Sequence, residues 1–362
     1  MIYTKTIEEM IGDARDKLIF DVREESDYIK SSYPDAKNIP WQIFTEHESE
    51  LTKDKPIYLL CYSGKHSIEI CEELSHKGYE IYSIEGGIYS YYRCTIEHQL
   101  SDEEESKDRC KEIERSIIKK FRPELWSQFT KAINVYDLIQ DGDKIAVCIS
   151  GGKDSMLMAK LFQELERHGK KNFEVVYMVM NPGYNDINYT TIINNARLMQ
   201  IPITVFNSDI FDIVDRETSG SPCYLCARMR RGALYSKAKE LGCNKIALGH
   251  NEDDVLETFM LNLLYGGSIS TFAPMSYMDR SGITLIRPLI YAPEKYIKSF
   301  AKKNNLPIMP KVCPMDGVSK REDMKNLIYN FQKDIPRVRE NLYGAIKRSN
   351  IKGWEITKKE DQ

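Results

Sequence analysis

Short apolar runs alternate with stretches of helical periodicity along the first hundred residues. The apolar runs cover residues 18–22, 57–61 and 81–84. Stretches with helical spacing follow them at residues 26–31, 66–77 and 88–92. Short strands that alternate with helices are typical of a parallel sheet built from βα units. The N-terminal region is therefore predicted to be a small α/β domain with a parallel sheet.

The same alternation returns on a larger scale in the second part of the chain. Strands are predicted at residues 144–149, 174–180, 203–207 and 245–248. Helices are predicted at residues 155–168, 188–199, 228–239 and 252–264. This order predicts a doubly wound α/β sheet, in which ligands bind beyond the carboxyl ends of the strands.

An acidic segment separates the two regions. Residues 100–108 crowd like charges without an apolar period, which is typical of a solvated linker or an exposed helix start. We therefore divide the chain into a domain of residues 1–95, an acidic linker at 96–112, a larger domain at 113–330 and a basic helical tail at 331–362. Solvent exposure explains the basic face of that tail at least as well as contact with RNA does.

Length and composition limit the compartment and the redox chemistry. The 362 residues are 42% hydrophobic, which suits a folded protein of two or three domains. No apolar run approaches the roughly 18 residues of a membrane span, and the N-terminal residues do not resemble a signal peptide. We therefore expect a cytoplasmic protein with no membrane partner. Its nine cysteines are predicted to be reduced thiols used for metal binding or catalysis.

Charge is distributed unevenly between the two regions. Residues 1–110 contain 13 Lys+Arg and 24 Asp+Glu, whereas residues 111–362 contain 38 and 30. The second region is therefore the candidate binder of a polyanion, although a basic balance can also serve solubility alone. Arg228, Arg230 and Arg231 cluster beside a pair of cysteines, where they could hold a nucleic-acid backbone.

A phosphate-binding loop is predicted at residues 150–155, which read Ser-Gly-Gly-Lys-Asp-Ser between a strand and a helix. Gly151 and Gly152 allow backbone N–H groups to approach an anion closely, and Ser150, Lys153 and Ser155 add donors. The spacing differs from the Walker pattern because the lysine follows the glycine pair directly. The segment resembles the PP-loop of the N-type ATP pyrophosphatases, which implies that ATP binds here and adenylates a substrate oxygen.

A sulfur-transfer site is predicted at the end of the strand over residues 57–61. Cys61 leads directly into a helix, where N–H groups and the helix dipole stabilise a thiolate or a persulfide. The motifs Asp-Val-Arg-Glu at 21–24, Pro-Asp-Ala-Lys-Asn-Ile-Pro at 34–40 and Ile-Glu-Gly-Gly at 84–87 accompany it. Over roughly residues 1–93 the chain resembles a rhodanese (sulfurtransferase) module, which implies a persulfide on Cys61.

Two departures and two alternatives accompany this rhodanese resemblance. His66 stands where the loop often has Arg, and residues 31–33 read Ser-Ser-Tyr in place of the usual Gly-His-Ile. The first departure could weaken anion binding without removing the nucleophile. Cys61 could instead be a buried small hydrophobe, but its position in the loop disfavours this. A silent docking module would normally lack the cysteine.

Three other cysteines have the spacing of metal ligands. Cys223 and Cys226 lie one turn apart at a predicted helix start, and Cys313 follows in a loop before a proline. Three thiolates can hold an iron–sulfur cubane with one iron left open, whereas structural zinc prefers four ligands. The segment Gly-His-Asn-Glu-Asp-Asp at 249–254 suits the nucleotide pocket better than the cluster.

The ordered combination of these motifs is more specific than any one of them. Between residues 130 and 330, with further matches at 263–267 and 286–290, the chain resembles the tRNA 2-thiocytidine synthetases (TtcA family). The archaeal-type thiouridine synthetases share the loop but carry zinc-binding CxxC pairs at both ends, which are missing here. The TtcA resemblance implies ATP-dependent replacement of the C2 oxygen of a cytidine by sulfur in the tRNA anticodon loop, at position 32.

The resemblances also imply the site residues and cofactors. Cys61, Lys153 and Asp154 are the predicted catalytic residues, and Cys223, Cys226 and Cys313 the predicted ligands of a 4Fe–4S cluster. ATP is predicted to bind Ser150, Gly151, Gly152, Lys153, Asp154, Ser155, Gly249 and His250. Mg²⁺ is predicted to bind Asp154 and Asp254, whereas Asp253 is as well explained as a surface carboxylate.

The leading hypothesis is an ATP-dependent tRNA thiolase whose sulfur comes from its own rhodanese module. Its predicted partners are tRNA and a persulfide or sulfide donor such as a cysteine desulfurase, and a homodimer is left open. One alternative moves the acceptor to another tRNA position or to a small molecule. Another is a sulfide-trafficking or redox-sensing binding protein with an idle ATP site, against which the intact loop argues.

Overall fold

The chain forms two compact units, each with its own sheet. The computed structural model describes residues 3–29, 32–62, 65–88, 90–91, 93–95, 103–182, 186–208, 210, 222–306 and 320–355. The first unit comprises Met1–Ser106 with Asn185–Asn194, and the second comprises Lys107–Tyr184 with Asn195–Gln362. No helix in these described ranges combines the length and the apolar character that a bilayer crossing requires.

The first unit contains a five-stranded parallel sheet in the order β1-β5-β4-β2-β3. Its strands are β1 Thr4–Lys5, β2 Leu18–Asp21, β3 Lys37–Asn38, β4 Ile57–Leu60 and β5 Ile81–Ile84. Its helical segments are Ile7–Gly12, Glu25–Tyr28, the 3₁₀ segment Phe44–Glu50, Lys65–His76 and residues 87–88, 90–91 and 93–95. All four residues of β4 are buried, because this central strand contributes side chains to a core on each face of the sheet.

The second unit contains a six-stranded sheet in the order β10-β11-β9-β6-β7-β8. Its strands are β6 Lys144–Ile149, β7 Glu174–Asn181, β8 Ile203–Asn207, β9 Lys245–Ala247, β10 Met275–Met278 and β11 Ile283–Ile286. All neighbours pair in parallel except β10, which pairs antiparallel with β11 at the edge. The chain winds from β6 to β7 and β8 and then returns to β9 on the other side of β6, so the strand order reverses at β6. The predicted fold class, α/β with parallel sheets, is confirmed.

Helices alternate with these strands. The helical segments from residue 103 onward are Glu103–Arg115, the π-helical turns Ser116–Lys120 and Arg122–Trp126, Ser127–Val135, Lys153–His168, Asp186–Leu198, Pro222–Glu240, Glu252–Gly266, Glu294–Lys303, Lys320–Asp334 and Val338–Arg348. The predicted strands at 144–149 and 203–207 coincide with β6 and β8. The apolar runs of β6 and β8 are short and bounded by turn residues, so the limits of both strands could be predicted from the sequence.

The C-terminal segment packs into the second unit. Helix Lys320–Asp334 crosses residue 330, where the basic tail was expected to begin. Trp354 is 1% exposed, stacks edge-on against Tyr136 and Tyr343 and donates its indole N–H to the Phe272 carbonyl at 3.2 Å. Burial of large aromatic side chains anchors this segment to the second unit.

Candidate functional site

The predicted phosphate loop has the geometry of an anion cradle. Gly151 adopts φ +80°, a left-handed conformation that favours glycine. The Ser155 hydroxyl accepts the Ser150 N–H at 3.1 Å and donates to the Gly152 carbonyl at 2.9 Å, which closes the turn. Helix Lys153–His168 begins directly after Gly152, and first-turn N–H groups of a helix have no intrahelical partner. The turn thus presents donors and a helix N-terminus to one point.

Lys153 is held above this turn by two carboxylates. Its Nζ lies 2.9 Å from Asp154 Oδ2 and 2.9 Å from Glu294 Oε1. Burial by itself would lower the pKa of Lys153, but these carboxylates outweigh burial and raise it. Glu294 also pairs with Lys298 at 2.8 Å and Lys325 at 3.0 Å, and the three lysines together hold its pKa well below the usual range despite burial. Lys153 is therefore a fixed positive charge at neutral pH.

The segment at 249–254 lies against the loop. A Cβ on Gly249 would come 3.3 Å from the backbone N of Ser155, so glycine permits this close approach. The Asn251 amide donates to Asp154 Oδ1 at 2.9 Å. Asn251 also caps helix Glu252–Gly266 in a reciprocal pair of hydrogen bonds with Asp254. The structure therefore brings together the two segments that the sequence assigned to ATP.

The three aspartates near the loop have different environments. Asp154 faces Lys153 and Asn251, and Asp254 lies 3.5 Å from Arg321. Burial raises the pKa of Asp254. Asp253 instead accepts the N–H of Glu294 at 2.7 Å and pairs with Arg339 at 2.9 Å. Asp253 therefore links its own helix to the helices Glu294–Lys303 and Val338–Arg348.

No cluster of three or more His, Cys, Asp or Glu side chains suited to a metal ion occurs in the part of the chain that the structure describes. Mg²⁺ at nucleotide sites is usually bound by one or two carboxylates together with the phosphates. Asp154 and Asp254 satisfy that smaller requirement, and both hydrogen-bond with Asn251. The predicted Mg²⁺ ligands thus stay a hypothesis.

His250 is a neutral, polar group beside the loop. Its ring packs against Phe272 with centroids 5.0 Å apart, and its Nδ1 is buried without a hydrogen-bond partner in the described structure. Burial, together with the charges of Arg287 and Arg321, lowers the pKa of His250 to about 3. An orphaned polar atom here, together with the close approach of Gly249, fits a nucleotide bound at the loop.

Three residues that contact predicted site residues were not identified from the sequence: Asn251, Glu294 and Arg321. Lys325, which pairs with Glu294, was not identified either. Glu294 follows Pro293 at a helix start and stands four residues before Lys298, which predicts a helix but no contact with the loop. Arg321 and Lys325 come from the C-terminal helix Lys320–Asp334. Only the folded chain places these charges beside Lys153 and Asp254.

Two of the predicted cluster ligands and the predicted RNA contacts belong to one helix. Helix Pro222–Glu240 begins at the CxxC pair, but the side chains of Cys223 and Cys226, and all of Cys313, lie outside the described residues. Arg228 and Arg231 are exposed three residues apart, and the Arg231 guanidinium donates to the Ala227 carbonyl at 3.2 Å. Arg230 is half-buried. Arg228 and Arg231 thus share one face of the helix.

The first unit contains the predicted sulfur site. Cys61 follows β4, is 2% exposed and accepts the Ser67 hydroxyl at 3.2 Å on its Sγ. Gly87 adopts φ +56°, and a Cβ there would stand 2.1 Å from the Cys61 carbonyl oxygen. The next residue, Ile88, donates its N–H to that carbonyl at 2.9 Å. The Gly-Gly pair at 86–87 therefore lets the chain close on the backbone of Cys61.

The other rhodanese motifs support the segments around this cysteine. Arg23 forms a buried bidentate pair with Asp21, with Nη2 2.6 Å from Oδ2. The Asn38 amide donates to the carbonyls of both residues at 2.8 Å. The ring of His66 is stacked on Trp41 at 4.4 Å between centroids. The residue that replaces the usual loop arginine is thus packed against an aromatic ring.

Comparisons with known proteins agree with this division. A PP-loop domain model matches residues 120–310 and a rhodanese-like domain model matches residues 4–94. The chain is 38% identical over 225 residues to the tRNA-cytidine(32) 2-sulfurtransferase of Citrifermentans bemidjiense, covering 61% of this chain and 88% of that protein. The corresponding protein of Syntrophotalea carbinolica is 39% identical over 222 residues, covering 60% and 85%.

The chain belongs to the tRNA-cytidine(32) 2-sulfurtransferase family of PP-loop proteins. It is an ATP-dependent sulfurtransferase that also carries a rhodanese-like domain. Among solved structures, the U34-tRNA thiolase NcsA from Methanococcus maripaludis with its 4Fe–4S cluster superposes with a TM-score of 0.52 at 23% identity, covering 62% of this chain and 77% of NcsA. At this identity the superposition shows a shared fold.

We predict that Glu294→Gln destabilises the second unit at neutral pH, because it leaves three lysines around a neutral amide. Breaking a largely buried ion pair costs about 3 kcal/mol, and partial exposure of Glu294 should reduce this somewhat. The Glu294 carboxylate has a depressed pKa in the folded state, so its contribution exists above the unfolded value of 4.5 and is lost as the pH falls. The loss of unfolding free energy caused by Glu294→Gln should therefore become smaller below about pH 4.5.

Urea unfolding of the full chain at several pH values measures this effect. Glu240→Gln is the matched control, since Glu240 is 66% exposed and pairs with Lys237 at the surface. That control should change the unfolding free energy by no more than about 1 kcal/mol. Equal losses for both variants would contradict a special role for Glu294.

Proposed function

We propose that this chain catalyses ATP-dependent 2-thiolation of cytidine in tRNA, at position 32 of the anticodon loop. The observation that carries the proposal is the charge of Lys153, fixed above an anion-binding turn by Asp154 and Glu294. Family membership supports the choice of reaction, because both relatives are named tRNA-cytidine(32) 2-sulfurtransferases. The two segments at 150–155 and 249–254 would enclose the ATP substrate.

The first chemical step activates an oxygen that is otherwise a poor leaving group. The cytidine O2 forms a bond to the α-phosphorus of ATP, and the bond to the bridging oxygen of pyrophosphate breaks. Lys153 and the N–H groups of the turn would stabilise the charge that develops on the departing pyrophosphate. Glu294 can release Lys153 toward the phosphates at low cost, because Lys298 and Lys325 continue to neutralise it.

The second step replaces the adenylated oxygen by sulfur. A sulfide nucleophile attacks C2, and AMP leaves with the oxygen. Cys223, Cys226 and Cys313 would hold a 4Fe–4S cluster, and a donor set of three thiols fits such a cluster better than it fits four-coordinate zinc. A cluster with three protein ligands supplies one iron that can bind the sulfur to be transferred. Arg228, Arg230 and Arg231 would contact the RNA backbone beside it.

The rhodanese-like domain would supply that sulfur. A persulfide on Cys61 carries it as sulfane sulfur, and a thiol reductant provides the two electrons that release it as sulfide. A donor such as a cysteine desulfurase would load Cys61. A tethered carrier has a millimolar-order effective concentration at its acceptor, which would favour transfer within the chain.

Lys153→Ala should abolish 2-thiocytidine formation. Loss of one preorganised charge stabiliser typically costs on the order of 10²–10³ in rate. The measurement is mass spectrometry of nucleosides from the tRNA of a deletion strain complemented with each variant. Lys170→Ala, at an exposed lysine, should restore the modification fully. Normal 2-thiocytidine in the uncomplemented strain, or thiolation of a different nucleoside, would refute the proposed reaction.

Replacing Cys223, Cys226 or Cys313 by Ala should remove the visible absorption of an iron–sulfur cluster from anaerobically purified protein, because each change deletes one of three ligands. Cys243→Ala is the control, since that buried cysteine belongs to a hydrophobic cluster of the second unit. Circular dichroism checks that each variant is folded. Stoichiometric zinc without iron in the wild-type protein would overturn the cluster assignment.

Cys61→Ser should block sulfur transfer to tRNA from a persulfide donor while leaving transfer from added inorganic sulfide intact. Sulfide can reach the second domain without the carrier, so this bypass separates a relay defect from a general one. Cys71→Ser is a matched control, because Cys71 is also buried in the same core. The readout is thiolation of tRNA with ATP and a thiol reductant present. Wild-type rates for Cys61→Ser with the persulfide donor alone would rule out the relay.

A further inference from the structure

Arg287 is a buried guanidinium with no acidic partner among the described residues. It is 8% exposed, and its Nη1 donates to the Ala273 carbonyl at 2.6 Å and the Ser276 hydroxyl at 3.2 Å. The guanidinium carbon lies 5.0 Å from the centre of the Phe272 ring, and Nε is buried with no hydrogen-bond partner in the described ranges. Burial lowers the pKa of Arg287 to about 10. A buried charge without a counter-ion is costly, which points to a ligand that supplies one.

The position of Arg287 in the sheet relates it to the phosphate loop. Arg287 follows β11, His250 follows β9 and the loop follows β6, and these three strands are adjacent and parallel. Strands are about 4.8 Å apart, so the backbone at Arg287 starts about 10 Å from the loop along the same edge. This edge, beside the strand-order reversal at β6, is where ligands bind in such sheets.

His250 occupies the strand end between the other two. Both His250 and Arg287 pack against Phe272, and the charge of Arg287 contributes to keeping the imidazole neutral. Nδ1 of His250 and Nε of Arg287, neither hydrogen-bonded within the described part of the chain, therefore both lie close to the Phe272 ring. His250 and Arg287 together offer hydrogen-bonding groups and one net positive charge. This charge lies farther toward β11 than the charge of Lys153 does.

A phosphoryl group of a small ligand fits this pair best. In the proposed function the loop and Lys153 bind the pyrophosphate portion of ATP, so the α-phosphate would need a cation of its own. A planar guanidinium binds phosphoryl oxygens through directed, charge-assisted hydrogen bonds. An RNA backbone would more readily meet exposed arginines such as Arg228 and Arg231. The burial of Arg287 therefore favours a nucleotide held in the cleft.

We propose that Arg287 and His250 form a separate subsite for the α-phosphate, and hence for the adenylyl group that remains after pyrophosphate departs. This inference rests on the proposed function. In the first step the cytidine O2 gains the α-phosphorus, while pyrophosphate leaves with the electrons of the broken bond. Arg287 would hold the charge of the α-phosphate throughout, and would hold AMP when sulfide displaces it.

The test compares the affinities of AMP and pyrophosphate for the full-length protein, purified anaerobically, by isothermal titration calorimetry. Arg287→Gln should weaken AMP binding about 10- to 100-fold and change pyrophosphate binding less than twofold, because a charge-assisted hydrogen bond is lost at one subsite only. Lys153→Ala should weaken pyrophosphate binding about 10- to 100-fold and change AMP binding less than twofold. Arg280→Gln, at an exposed arginine in the turn between β10 and β11, should alter neither.

Arg287→Lys is a second variant that keeps the test valid if Arg287→Gln does not fold. It retains the positive charge but lacks the planar, forked hydrogen-bond donors of the guanidinium. It should weaken AMP binding about tenfold and leave pyrophosphate binding unchanged. Unchanged AMP affinity in both variants, equal losses for AMP and pyrophosphate in a folded variant, or a loss confined to tRNA binding would each overturn the subsite. If Arg287 variants lose AMP while the wild-type protein makes no 2-thiocytidine, the subsite stands and the proposed function fails.

Discussion

The second unit depends on the ion pairs that join Lys153 to Asp154 and Glu294. Lys153 opens the helix after β6, Asp154 is hydrogen-bonded to the segment after β9, and Glu294 opens another helix. Glu294 in turn holds Lys325 from the C-terminal segment. One network of charges therefore fixes four parts of the chain around the mouth of the phosphate loop. Since Glu294 is largely buried, its removal leaves Lys153, Lys298 and Lys325 without their shared carboxylate.

The C-terminal segment completes the electrostatics of the cleft. The PP-loop model ends at residue 310, yet Arg321, Lys325 and Arg339 from beyond that point pair with Asp254, Glu294 and Asp253 respectively. Without these cations, the acidic groups beside the loop would repel a triphosphate. Trp354 and Tyr343 fasten the same segment through aromatic packing and hydrogen bonds to backbone carbonyls. Packing at one end of this segment thus supports charge compensation at the other.

The two units share one backbone arrangement around their predicted sites. In each, a predicted site residue follows the carboxyl end of a central parallel strand, and a glycine lets a second segment approach the backbone of that site closely. Gly87 serves Cys61 in the first unit, and Gly249 serves the Lys153 turn in the second. A Cβ at residue 87 would overlap the Cys61 carbonyl oxygen, and a Cβ at residue 249 would lie 3.3 Å from the Ser155 nitrogen, so each glycine permits a close approach of two segments.

The sequence by itself determined the α/β class, the strands β6 and β8 and the phosphate loop at 150–155, because apolar runs, glycines and helix starts are local signals. It also gave the motifs of both families in order. The tertiary structure alone decided that Glu294 lies beside Lys153 and also pairs with Lys325, that Asp253 joins helices, and that Arg287 has no acidic partner among the described residues. These facts depend on residues distant along the chain, whose contact follows from strand order and packing. Whether a charged side chain needs a partner, and which residue provides one, is decided only when the fold buries that side chain away from water.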